Sequence, residues 1–135
     1  FLFPFLKSFP GVPVTSLDLL AHRVELLNDV HRGGYAHLTA LQQDITAWAM
    51  PDGSFDVVTL LEVLEHIPNV EEAIRAAVQL ARRCIILSVP SKPDDNPEHI
   101  HLLTKPILTD LFAKAGCTNL HFDGVPNHLI MMAWK

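Results

Sequence analysis

Cysteine is scarce in this sequence: Cys84 and Cys117 are the whole complement, and they form no CxxC pair. Two isolated thiols do not make a disulfide framework and suit a reducing cytosol, so the expected location is cytoplasmic. Positive charge is also short, with Lys and Arg numbering 10 against 15 Asp and Glu, for a net charge of -5. That balance argues against an electrostatic grip on a long nucleic acid and favours small or weakly charged partners. No apolar run approaches the roughly 18 residues that a membrane-spanning helix needs. The opening FLFPFLKSF is apolar but short, and it lacks the basic leader and small-residue cleavage site of a signal peptide. Neither an internal repeat nor a linker is visible, so residues 1–135 read as a single domain.

What is present is a globular composition, 49% hydrophobic and 19% charged. Short β-rich runs alternate with amphipathic stretches, which predicts an α/β fold with a mostly parallel sheet. Leu2, Phe5, Leu6 and Phe9 mark a short helix with Pro4 in its first turn. PVTSLD, residues 13–18, reads as a strand, and Leu20, Val24, Leu27 and Val30 set out a second helix that Gly33-Gly34 stops. A weaker strand is expected over about 36–41. After the turn PDGS comes FDVVTLL, apolar enough to predict a strand covered on both faces. Asn69 and Glu72 have capping-box spacing ahead of a helix with Ala73, Ile74, Ala77 and Val78 on one face. CIILSV is the next buried strand, and Ile107, Leu108, Leu111 and Phe112 line the last helix. TNLHFD and HLIMMAW are joined only by GVPN, a link so short that the pair must be an antiparallel hairpin.

This order of elements, closing on a hairpin, resembles the class I S-adenosylmethionine-dependent methyltransferases, whose fold is Rossmann-like. Three segments carry the resemblance. VTSLD is similar to the family's second strand, which implies that Asp18 binds the cofactor ribose. QQDIT is similar to the segment after the third strand, which implies that Asp44 contacts the adenine amino group and Ile45 packs on the ring. DGSFDVVTLLEVLEHIPN resembles the fourth-strand motif, with Leu61 against the methionine part. Elementary chemistry agrees, since ligands of open α/β sheets sit outside the carboxyl ends of the strands and a carboxylate there can accept both ribose hydroxyls.

The family pattern has a first strand and glycine-rich loop ahead of the first helix. Here FLFPFLKSFPG looks like that helix itself, so the first strand is expected to be missing from this chain. Open strand edges would then invite self-association, and cofactor binding by this chain is expected to be poor. The resemblance implies methyl transfer from S-adenosylmethionine to a small molecule or polymer end, oxygen acceptors being slightly favoured. The alternative is a catalytically inactive module that uses the fold for association.

Glu62, Glu65 and His66 stand behind the fourth-motif strand and admit three readings. They are turn residues solvating a helix start, or Glu62 and His66 line the crevice and handle a proton, His being suited by its titration near neutrality. In the third reading E-x-x-E-H binds a divalent metal. That idea rests on resemblance to ubiquinone-pathway and small-RNA O-methyltransferases, in which His99 would complete the set Glu62, Glu65, His66, His99. Of the two functional readings the acceptor-side one is preferred, with Glu62, His66 and His99 as its residues and no metal. Residues 91–104 form a long connection, a candidate substrate lid carrying His99 and His101. His128 reads as a surface turn residue.

Overall fold

The computed structural model describes residues 1–93 and 95–135, so one position of the 91–104 segment lies outside the described residues. The chain divides into two compact units, Phe1–Trp48 and Ala49–Lys135. No helix among the described residues is long and apolar enough to cross a membrane.

The first unit holds α1 (Leu2–Ser8), β1 (Val14–Asp18), α2 (Ala21–Arg32) and β2 (Leu38–Gln42), followed by a 3-10 turn, Ile45–Ala47. β1 and β2 pair in parallel, from Val14 opposite Leu38 to Asp18 opposite Gln42. Leu6 from α1, Val24 from α2 and Leu38 from β2 are its buried apolar side chains. The helical spacing expected for α2 is only partly used: Val24 is buried, whereas Leu20 is 45% exposed.

The second unit is built on a four-stranded sheet in the order β3-β4-β6-β5, with β3 at Phe55–Leu61, β4 at Ala81–Pro90, β5 at Asn119–Val125 and β6 at His128–Trp134. β3 and β4 are parallel, whereas β4–β6 and β5–β6 are antiparallel. A 3-10 turn (Leu64–His66) and α3 (Val70–Leu80) connect β3 to β4, and α4 (Lys105–Lys114) precedes the hairpin. The core is α3 and α4 against the sheet: Ile74, Ala77, Leu108 and Phe112 from the helices meet a sheet that buries Ile85, Leu87 and Met131 completely. The mixed sheet agrees with the α/β expectation. The hairpin loop is tighter than GVPN suggests, because only Pro126 and Asn127 lie outside the strands. Asn127 takes φ 69°, the left-handed value that follows proline in a type II turn.

One expectation fails. β3 was expected to be covered on both faces, yet Val57 is 45% exposed and Leu60 alone in the strand is buried. Within its own sheet β3 is a terminal strand with β4 on one side only, so its apolar run marks β propensity more than burial.

Candidate functional site

In the first unit the parallel register brings two acids to one edge. Asp18 ends β1, and Asp44 follows two residues after Gln42, its partner across the ladder. The Asp18 carboxylate is held locally: Oδ1 accepts the Leu20 backbone N–H at 2.8 Å, and Oδ2 lies 3.6 Å from Arg23. Asp44 caps the 3-10 turn, its Oδ1 accepting both the backbone N–H and the hydroxyl of Thr46 at 2.8 Å. Ile45, half-buried, sits beside it. Each carboxylate therefore keeps one oxygen less committed than the other, which is the donor-accepting chemistry that a ribose diol and an adenine amino group require. A cavity of about 270 Å³ beside Leu6, Tyr35 and Leu38 lies at the amino end of β2, the other edge of this sheet. It gathers no acid, and the acidic edge is chemically the better candidate.

In the second unit the segment after β3 separates what the sequence put side by side. Glu62 has φ 54°, an unusual left-handed conformation for a residue with a side chain. Its backbone N–H donates to the Ser88 carbonyl at 3.0 Å. Its carboxylate accepts the Ser88 hydroxyl at 2.5 Å and faces His128 Nε2 at 3.3 Å. The 3-10 turn that follows sends Glu65 the other way, into the core, where it is fully buried and neither carboxylate oxygen has a hydrogen-bond partner. Burial pushes its carboxyl above the usual range. Its own backbone N–H, although it makes no hydrogen bond to the carboxylate, is the next influence and pulls down; the Glu62 charge then pushes up, and the His66 and His99 rings pull down.

Glu65, His66 and His99 each place a ligand atom within 4.8 Å of the others. His66 Nε2 is 3.8 Å from Glu65 Oε1, and the His66 and His99 rings meet edge to face with centroids 4.8 Å apart. His66 Nδ1 lies 3.0 Å from the Glu98 carbonyl, which orients the ring as carbonyls orient ligand histidines. Two more bonds tie the 91–104 connection to this turn: Ile100 N–H to the Glu65 carbonyl at 2.9 Å and His101 Nε2 with the Ile67 carbonyl at 3.0 Å. Residues 98–101 of the candidate lid are therefore docked. Leu61, the last residue of β3, is half-buried.

The structure thus gathers Glu65, His66 and His99 but not Glu62, which belongs instead to a cluster with Ser88 and His128. Those last two were not foreseen as partners. The available signal was the hairpin register, which sets His128 opposite Pro90 at the end of β4. Cys84 and Cys117 are free and buried, and burial pushes both thiols up, away from nucleophile chemistry.

The family described as "Methyltransferase domain" matches residues 3–84. A curated ubiquinone biosynthesis O-methyltransferase from Pseudomonas paraeruginosa is 37% identical over 75 residues, 56% of this chain and 31% of the relative. The chain therefore spans about a third of the length of that relative. Among solved structures, the YcgJ protein of Bacillus subtilis superposes with a TM-score of 0.81 at 11% identity, covering 96% of this chain and 86% of that one. A Burkholderia thailandensis 1,6-didemethyltoxoflavin-N1-methyltransferase, solved with its substrate and S-adenosylhomocysteine, gives 0.75 at 21% identity, covering 99% and 65%.

Proposed function

This chain belongs to the methyltransferase-domain family, and on that premise we propose that it serves S-adenosylmethionine-dependent methyl transfer to a small-molecule acceptor, with an oxygen nucleophile favoured. The observation that carries the reading is the match over residues 3–84, which takes in Asp18, Asp44 and the whole of the Glu62–His66 segment. The oxygen preference draws support from the O-methyltransferase relative and from the Glu62 carboxylate, which is 39% exposed at the carboxyl end of β3.

Bound S-adenosylmethionine supplies a methyl group on a positively charged sulfur. Asp18 would accept hydrogen bonds from the ribose hydroxyls, Asp44 would accept from the adenine amino group, Ile45 would pack on the ring and Leu61 on the methionine part. Glu62, His66 and His99 face the acceptor side. The chain's remaining task is to hold the acceptor in line and receive its proton. Calorimetric titration of S-adenosylhomocysteine into the full-length protein tests this. Binding should weaken by about 10–100-fold in Asp18→Asn, which loses a charge-assisted acceptor. A folded wild type that takes up no S-adenosylhomocysteine would instead favour an association module.

A second reading has its own support. Two buried, unpartnered carboxylate oxygens on Glu65, beside two imidazoles, suit a divalent cation. One carboxylate and two imidazoles favour Mn²⁺ or Zn²⁺ over Mg²⁺, which prefers an all-oxygen shell. Glu65, His66 and His99 would hold the ion, with the Glu98 carbonyl fixing the His66 ring. Titration with Mn²⁺ should show one site that Glu65→Gln abolishes; equal uptake by the variant would remove this reading.

A further inference from the structure

Glu65 is the one polar or charged side chain buried among the described residues, and it lies where two segments meet. The 3-10 turn Leu64–His66 supplies Glu65 and His66, and residues 98–101 come across to join it. The seam between them is made of polar bonds. The Glu65 carbonyl accepts the Ile100 N–H at 2.9 Å, and the Ile67 carbonyl lies 3.0 Å from His101 Nε2. In the other direction, the Glu98 carbonyl lies 3.0 Å from His66 Nδ1. Apolar burial adds little here, because the Ile100 side chain is 51% exposed and full burial resumes only at Leu103. Each such bond contributes a small net stabilisation, so a seam built of a few of them beside water opens easily.

Across this seam lies a donor set larger than the seam itself uses. Both Glu65 oxygens lack a hydrogen-bond partner, so the carboxylate can bind through one or both. His66 turns Nδ1 to Glu98 and leaves Nε2 on the Glu65 side, 3.8 Å from Oε1. His99 completes the cluster from the opposite segment, with all three ligand atoms within 4.8 Å. Two ligands thus belong to the turn and one to residues 98–101, and an ion bound to all three crosses the seam. Glu62 stands outside this set, its carboxylate engaged by the Ser88 hydroxyl and facing His128.

We propose that a divalent cation held by Glu65, His66 and His99 is a clamp that locks residues 98–101 onto the turn after β3. This rests on the metal reading and gives the ion its task. An ion that binds only the docked form lowers the open population by the factor 1 + [ion]/Kd, about 100-fold at an ion concentration of 100 Kd. The Ile100 amide reports the opening, because its bond to the Glu65 carbonyl breaks when the two segments part. The same ion also compensates a carboxylate that is otherwise buried without a partner.

Hydrogen exchange on the full-length protein tests the clamp, first after stripping with EDTA and then with Mn²⁺ added. With Mn²⁺ at about 100 times its calorimetric Kd, exchange at Ile100 should slow about 10–100-fold, while amides of β2 keep their rates. His99→Ala removes the ligand that residues 98–101 contribute and leaves both backbone partners of the Ile100 bond in place. At the same Mn²⁺ concentration its Ile100 amide should gain no protection. Glu65→Gln, close in shape and with the same backbone carbonyl, should keep the metal-free Ile100 rate and lose the response to Mn²⁺. One bound Mn²⁺ with Ile100 exchange unchanged, or equal slowing in His99→Ala, would overturn the clamp while the metal reading stands. Failure of the wild type to take up Mn²⁺ is a different result: it removes the metal reading and the clamp with it, and leaves the methyl-transfer reading untouched.

Discussion

The two units handle apolar surface differently. Ala49–Lys135 buries Leu64, Ile74, Ile85, Leu87, Leu108, Phe112 and Met131 to zero exposure, whereas in Phe1–Trp48 Leu38 alone among the described residues reaches zero. The first unit leaves Phe1, Phe3, Leu19 and Leu26 more than half exposed. Both contain parallel strands and amphipathic helices, so secondary structure is not what separates them. The second has α3 and α4 with a four-stranded sheet over one core, whereas the first has α1 and α2 with a sheet of two strands. Cooperative stability follows from shared burial, and it should therefore be concentrated in the second unit.

The largest expected effect breaks that core. Phe112→Ala should lower the unfolding free energy by about 3–5 kcal/mol, measured by urea denaturation. Hydrogen exchange sharpens the contrast: amides of β4 should exchange only through global opening, and those of β1 and β2 through smaller openings. Equal protection in β2 and β4 would show that the difference in burial has no energetic counterpart.

The carboxylates differ in the same way. Asp18 and Asp44 have local hydrogen bonds and are not buried, whereas the Glu65 carboxylate has no hydrogen-bond partner and is fully buried. Its folded carboxyl titrates above the ordinary 4.5, raised chiefly by burial. The folded state therefore binds the Glu65 proton more tightly than the unfolded chain does. Below 4.5 both states are protonated and there is no penalty; as pH rises from 4.5 through the raised folded value, stability is progressively lost. Glu65→Leu should remove that slope and stabilise the metal-free protein by about 1–3 kcal/mol at neutral pH. A less stable leucine variant would mean that a buried partner stabilises the carboxylate.

The strand and helix order was legible in the sequence because local periodicity and turn chemistry agreed with the fold. α3 is the clearest case: Asn69, Ala73, Ile74, Ala77 and Val78 occupy their expected places. The site was less legible, for two physical reasons. Glu62 and Glu65 are three residues apart, which on a helix would put them on one side, but a left-handed residue followed by a 3-10 turn sends one to Ser88 and the other into the core. His128 acquires meaning only through the β4–β6 register, a long-range pairing that no local spacing reports. β3 failed for a related reason, since a run of apolar residues states a strand's preference and not its neighbours.

The smallest effects concern two caps with like chemistry and unlike dependents. Asn69 Oδ1 accepts the Glu72 backbone N–H at 3.2 Å, and its side-chain amide donates to the Glu72 carboxylate at 2.9 Å. The reciprocal link runs through the Asn69 side chain, a variant of the expected capping box. It opens an 11-residue helix whose buried face belongs to the core. Asp44 caps only a three-residue turn with no buried residue. Asn69→Ala should therefore cost about 1 kcal/mol of stability. Asp44→Asn retains an accepting oxygen for the Thr46 N–H and should change stability by less than about 0.5 kcal/mol. Its consequence should appear instead in calorimetry, as weaker S-adenosylhomocysteine binding, because the acceptor proposed for the adenine amino group loses its negative charge. If Asp44→Asn loses as much stability as Asn69→Ala while ligand affinity is untouched, Asp44 is a structural cap and the acidic edge of the first unit contributes Asp18 alone.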